Sequence, residues 1–241
     1  MEERARENAM RFAIYYTPPA DHPLTMTAER WLQRSAFPGR SVEPLIVEAF
    51  SGEEITELTA EPRRYGFHAT MKAPFRLADG VSQAELRAEL ETLALARKPF
   101  AQKMKVSRIG RFFAIVPDGP SPELSELADE AVRRFERFRA PLTDAEFQRR
   151  EPEKLSASEL QNLRTWGYPH VFADFRFHMT LTGKVPEDKA EKVQSVLETI
   201  FNPLLEEPLE IGGFALFAQP GADQPFHVEV MNAFAAREEV A

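Results

Sequence analysis

Residues 67–72 read Phe-His-Ala-Thr-Met-Lys and residues 177–182 read Phe-His-Met-Thr-Leu-Thr. Side chains alternate between the two faces of a strand, so residues two apart point the same way. In the second stretch Phe175, Phe177, Met179 and Leu181 then form one apolar face, and Arg176, His178, Thr180 and Thr182 form the other. In the first, Phe67, Ala69 and Met71 are apolar, and His68, Thr70 and Lys72 share the opposite face. Each stretch therefore presents an imidazole, a hydroxyl and a cation on one side of a strand whose other side is core.

That combination suits phosphate chemistry. Imidazole titrates near neutrality and can give or take a proton. A threonine hydroxyl can donate to a phosphate oxygen, and a cation stabilises charge in the transition state. Cleaving a phosphodiester needs a base for the attacking group and an acid for the leaving group, and two motifs supply both. The expected site is thus His68 and His178 as the catalytic pair, with Thr70, Thr180, Lys72 and Arg176 binding phosphate. Tyr15, on the first strand, either lines the cleft as a substrate contact or belongs to the core.

Working outward, Arg11–Thr17 reads as a strand stopped by Pro18-Pro19. Ser82-x-x-Glu85 is a capping-box pattern, and Leu86, Leu90 and Leu93 follow at helical spacing, which predicts a helix over 82–97. Phe100–Ile109 and Phe112–Val116 read as strands, and Ser121-Pro122 opens a helix to about Phe138. Phe175–Lys184 reads as a strand and Pro186 opens a further helix. Two final strands follow, Leu209–Ala218 and Phe226–Val230. The order strand, helix, His-x-Thr strand, helix, strand occurs twice, which an internal duplication explains. The expectation is an α+β protein with a single bilobal domain over 1–241. Its approximate halves are 11–110 and 111–235, and a helical insertion at about 140–172 folds over the mouth of the cleft. Each lobe would be an antiparallel sheet with helices on its outer face.

Composition narrows the function. The chain has 241 residues and no cysteine, which removes disulfides, thiolate nucleophiles and cysteine-based zinc sites. A net charge of −8 argues against long nucleic acid as a partner, and leaves a small phosphorylated sugar or nucleotide held by local cations. No stretch approaches the roughly 18 apolar residues of a membrane helix, and the start lacks a signal-peptide core, so the expected location is the cytoplasm. Gly-rich phosphate loops, Gly-x-Ser-x-Gly, His-x-His and HExxH are all absent. His22, His170 and His227 read as lying in a turn, a loop and an edge strand, where they have no chemical partner. No metal and no cofactor are expected.

At these residues the sequence resembles a known group. His68-Ala-Thr70 and His178-Met-Thr180 look like the signature of the two-histidine (2H) phosphoesterase superfamily. The strings RYGFHATMKAPFRL, FRAPL, WGYPHVF and FRFHMTLTG resemble its branch associated with bacterial phosphonate-metabolism operons. The resemblance runs from about Arg11 to Val230. It implies a bilobal α+β fold with a central cleft, the motifs on facing central strands, and metal-independent phosphoester hydrolysis, of a cyclic phosphate or phosphodiester. Two other readings stay open: a non-catalytic phosphate- or RNA-binding module that keeps the same pocket, and a metallohydrolase.

Overall fold

Strand β1 (Arg11–Tyr16) is buried along nearly its whole length, because both of its faces are covered. Phe12, Ile14 and Tyr16 point into the main core, and Ala13 and Tyr15 into a second, smaller cluster with Phe217 and Phe226. The computed structural model that shows this describes residues 10–235. From β1 the architecture is built on both sides: β2 (Ala69–Phe75) and β8 (Gly213–Gln219) pair with it, both antiparallel. Outside these lie β9 (His227–Ala233) on one edge, and β6 (Met179–Thr180), β5 (Phe112–Pro117) and β4 (Met104–Ile109) towards the other. All seven form one sheet in the order β4-β5-β6-β2-β1-β8-β9, and β3 (Phe100–Gln102) pairs with β7 (Leu209–Ile211) in a separate ribbon.

The α+β class with antiparallel sheets is what the resemblance implied, but the lobes do not follow the halves of the sequence. If first-half strands are exchanged for their second-half counterparts, β1 with β5, β2 with β6, β4 with β8, the order β4-β5-β6-β2-β1-β8 maps onto itself reversed. The pseudo-twofold therefore passes between β2 and β6, and β9 lies outside it. Each half sends one strand to the other: β4 pairs with β5, and β8 with β1. The two expected sheets meet as one through the bridge Ala69↔Met179.

Helices cover one face. Here α1 is Pro23–Leu32, α2 Gly52–Arg63, α3 Gln83–Leu95, α4 Pro122–Arg134, α5 Asp144–Gln148, α6 Ala157–Trp166 and α7 Ala190–Phe201. Leu86, Leu90 and Leu93 of α3 and Val193, Leu197 and Phe201 of α7 join Leu127 and Ala131 of α4 in the main core. Fully burying one such leucine or phenylalanine contributes about 1.5–3 kcal/mol. The opposite face carries the polar side chains of both His-x-Thr motifs and forms a cleft, walled in part by Glu61 of α2 and Glu159 of α6.

The expected capping box at Ser82 and Glu85 is present. A second at Ser51 and Glu54 starts α2, a helix that the reading from sequence left unassigned. Ser121 precedes α4 as expected but makes no side-chain cap. The expected strand 175–184 is shortened to Met179–Thr180. Flanking residues leave the ladder: the amides of Leu181 and Thr182 share the carbonyl of Phe113, and that of Gly183 goes to Leu58. Among the described residues no helix is long and apolar enough to cross a membrane.

Candidate active site

The bridge Ala69↔Met179 sets the geometry of the site. It lies in a row, Tyr16–Ala69–Met179–Ile115, that crosses four strands with every side chain buried on the helical face. One residue on either side the parity reverses. The antiparallel register then puts Thr70 across from His178 and His68 across from Thr180, all on the open face. The four groups form a rectangle in which each histidine has a threonine opposite and the other histidine on the diagonal, where neighbours are about 7–8 Å apart.

Both rings are held by their backbone. His68 Nδ1 lies 2.9 Å from the carbonyl oxygen of Gly66, and His178 Nδ1 lies 2.7 Å from that of Arg176. A carbonyl only accepts, so in each ring Nδ1 carries the hydrogen and Nε2 is left with a lone pair for the cleft. Thr70 Oγ1 sits 3.4 Å from His68 Nε2, a long direct contact in which the hydroxyl donates to the ring's lone pair. Gly66 is required at its position: its φ is +83°, and a Cβ there would lie 2.6 Å from that of Ala36.

Burial pushes His68 down from the ordinary histidine range to about 4; the Gly66 carbonyl opposes this and the nearby His178 adds to it. His178 is also lowered, first by burial, with the Arg176 carbonyl opposing and His170 adding. In the free site both imidazoles are therefore neutral at pH 7. Tyr15 stacks on His68, and its own phenol is held protonated by burial. Phe112 flanks His178 at 5.7 Å between ring centroids.

The cleft has two connected chambers. One of about 360 Å³, called inner because both His-x-Thr motifs line it, holds both histidines, both motif threonines and Tyr15; Arg11, Arg150 and Lys184 also line it. An outer one of about 500 Å³ shares Thr70, Phe112, Tyr168 and His178 with it and adds Glu159, His170, Asp174 and Arg176. The segment 140–172 walls both chambers through Arg150, Glu159, Tyr168 and His170. It is tied down by the ion pair Arg76–Glu146 and by Asn162, whose amide donates to Asp174 Oδ2 at 2.9 Å.

Lys72 is a correction. Ile14 pairs with Lys72 and Tyr15 with Thr70, so Met71 is an extra residue in β2, a bulge that reverses parity beyond Thr70. Lys72 consequently turns to the helical face. It is 3% exposed and donates to Val132 O and to the Glu136 carboxylate, each at 3.0 Å. Its ammonium is engaged there, and Lys72 lines neither chamber of the cleft. Arg176 remains on the open side, exposed at the outer chamber beside His178. Tyr15 is on the cleft face, and so lines the site rather than the main core.

Other residues were missed. Arg11 and Lys184 reach the inner chamber from the ends of strand-like segments, where sequence alone offers no sign of a site. His170, set aside as a loop residue, lines the outer chamber with its Nδ1 3.2 Å from Glu159. His22 caps α1, accepting from the amide of Leu24. Among the described residues no three His, Cys, Asp or Glu side chains gather where they could hold a metal ion.

Comparison with known proteins adds the following. A curated protein of Janthinobacterium sp. (strain Marseille) named ribose 1,5-bisphosphate phosphokinase PhnN is 34% identical over 191 residues, covering 79% of this chain and 42% of that protein. One of the same name from Laribacter hongkongensis (strain HLHK9) is 33% identical over 221 residues, covering 91% of this chain and 50% of that protein. The chain thus spans about half the length of the curated relatives it matches. The crystal structure of E. coli LigT complexed with 3'-AMP covers 94% of this chain and 99% of its own at 14% identity, with a TM-score of 0.44, a likeness too loose to carry an argument. Residues 70–227, more than half of the chain, match the family described as protein of unknown function (DUF1045), and the chain belongs to that family.

Proposed function

We propose that the chain is a phosphoesterase of the two-histidine type, which hydrolyses a cyclic phosphate or phosphodiester of a ribose or nucleoside without a metal ion. One observation carries this: two imidazoles, each with Nδ1–H tied to a carbonyl, face one inner chamber on the diagonal of a rectangle whose other corners are threonines.

The chemistry follows from that placement. His68, held neutral to about pH 4, takes a proton from water through Nε2, and the oxygen attacks phosphorus. His178, whose shift is the smaller, arrives protonated with the anionic substrate, which raises its pKa, and donates through Nε2 to the departing alkoxide. One P–O bond forms, one breaks, and each histidine ends in the other's starting state. Thr70 and Thr180 donate to the non-bridging oxygens. Proton transfer of this kind contributes roughly 10²–10⁴-fold for a positioned group.

The two curated relatives are named for ribose 1,5-bisphosphate, which supports a phosphorylated ribose as the ligand class and a place in phosphonate metabolism. Their kinase reaction is not carried over, because this sequence has no Gly-rich phosphate loop. The test is ³¹P NMR of the purified protein with ribose and nucleoside cyclic phosphates. Conversion of the cyclic signal to a monoester supports the enzyme; saturable binding with no product on the whole panel leaves a binding module.

A further inference from the structure

The inner chamber contains more positive charge than one phosphate diester needs. Arg11, Arg150 and Lys184 line it against a single carboxylate among its lining residues, Glu61. None of the three cations is within ion-pair distance of a carboxylate among the described residues, in a chain whose net charge is −8. Arg11 is held by a neutral device instead. Its Nε and Nη2 donate to Gln219 Oε1 at 2.7 and 2.5 Å, and its guanidinium lies over Phe226 at 5.5 Å. Gln219 is fully buried, and its own amide donates to Gln224 O at 2.6 Å, which fixes the oxygen towards Arg11. A buried glutamine orients the guanidinium without neutralising it and leaves three of its five N–H donors free. Arg150 is placed over Tyr168 at 5.0 Å, again without a counter-charge. The outer chamber has the opposite bias, with Glu159 and Asp174 beside Arg176.

From this polarity we propose a second anion subsite, built on Arg11 and Arg150 with Lys184 at its rim, that takes a phosphomonoester on the same molecule as the cyclic phosphate. This rests on the phosphoesterase reading and sharpens it: the substrate class is a sugar cyclic phosphate that carries a second, terminal phosphate. An arginine fork bonds a phosphate dianion through paired charge-assisted hydrogen bonds, and two such side chains in a half-enclosed chamber hold it more tightly than solvated lysines would.

The experiment uses matched pairs: ribose 1,2-cyclic phosphate and adenosine 2′,3′-cyclic phosphate, each with and without a 5-phosphate (5′ on the nucleoside). The 5-phosphate should raise kcat/KM by roughly 100-fold on at least the ribose pair. R11M and R150M should each lower that ratio by about tenfold, and R150M carries the test if R11M does not fold. Equal kcat/KM within both pairs, or a ratio untouched by both variants, overturns the subsite while leaving the phosphoesterase reading standing. No turnover of any of the four overturns that reading and the subsite with it.

Discussion

Tyr15 lies almost flat on His68, with ring centroids 3.8 Å apart and planes 23° from parallel. The stack keeps water off one side of the imidazole, and loss of hydration is the main reason that His68 is lowered to about 4.

A pH profile with a definite sign follows. The base must be neutral, so kcat/KM should rise as pH climbs through about 4. The acid must be protonated, so kcat/KM should fall as pH passes the pKa of His178, which is below the ordinary histidine value. The bell in kcat/KM should therefore peak on the acid side of about 6.5. Bound substrate anion favours both imidazolium forms, so the kcat profile should lie at higher pH than that of kcat/KM. In Y15L, water reaches His68 and the acid limb should move up, whereas Y15F should leave it in place. An acid limb near the ordinary histidine value in the wild type, unmoved in Y15L, contradicts this role for the stack.

The threonines should behave differently from the histidines. Thr70 and Thr180 donate to phosphate oxygens and exchange no proton with the reacting atoms. T70V and T180V, nearly isosteric, should each lower kcat/KM by roughly 10²-fold, with both limbs of the profile unmoved. Steady-state kinetics across pH on the two variants checks this, and wild-type rates in either would remove that hydroxyl from the site.

Lys72 should matter for stability and little for turnover. Its ammonium is buried against Val132 O and Glu136, and burial lowers its pKa while Glu136 raises it. Glu136 also pairs with Arg139, so loss of the lysine does not leave the carboxylate alone. K72M should cost about 1–3 kcal/mol in thermal or urea unfolding, with kcat/KM within about threefold of wild type. A hundredfold loss of activity at unchanged stability would return Lys72 to the cleft.

How far the sequence could be read depended on whether a local rule decided the outcome. Alternation put His68, Thr70, His178 and Thr180 on one face against Phe67, Ala69, Phe177 and Met179, and the structure has that division. The same rule failed at Lys72, because the Met71 bulge adds a residue that hydrophobic pattern does not mark. Ser82 and Glu85 announced their helix, and Ser51 and Glu54 carried the same signal for α2. The exchange of β4 and β8 between lobes was not legible, since which strand borders β1 or β5 is settled by packing over long sequence separations. Arg11, Arg150 and Lys184 lie far apart in the chain, and only the folded cleft brings them together.

The most direct measurement is turnover of a ribose or nucleoside cyclic phosphate by wild type, H68A and H178A after exhaustive EDTA treatment, with folding of each variant checked by circular dichroism. Wild-type activity should survive the chelator, and each alanine variant should retain the fold and lose at least about 10²-fold in kcat/KM. Activity abolished by EDTA and restored by a divalent metal, or near-normal turnover in either folded variant, would contradict a site in which His68 and His178 move the protons.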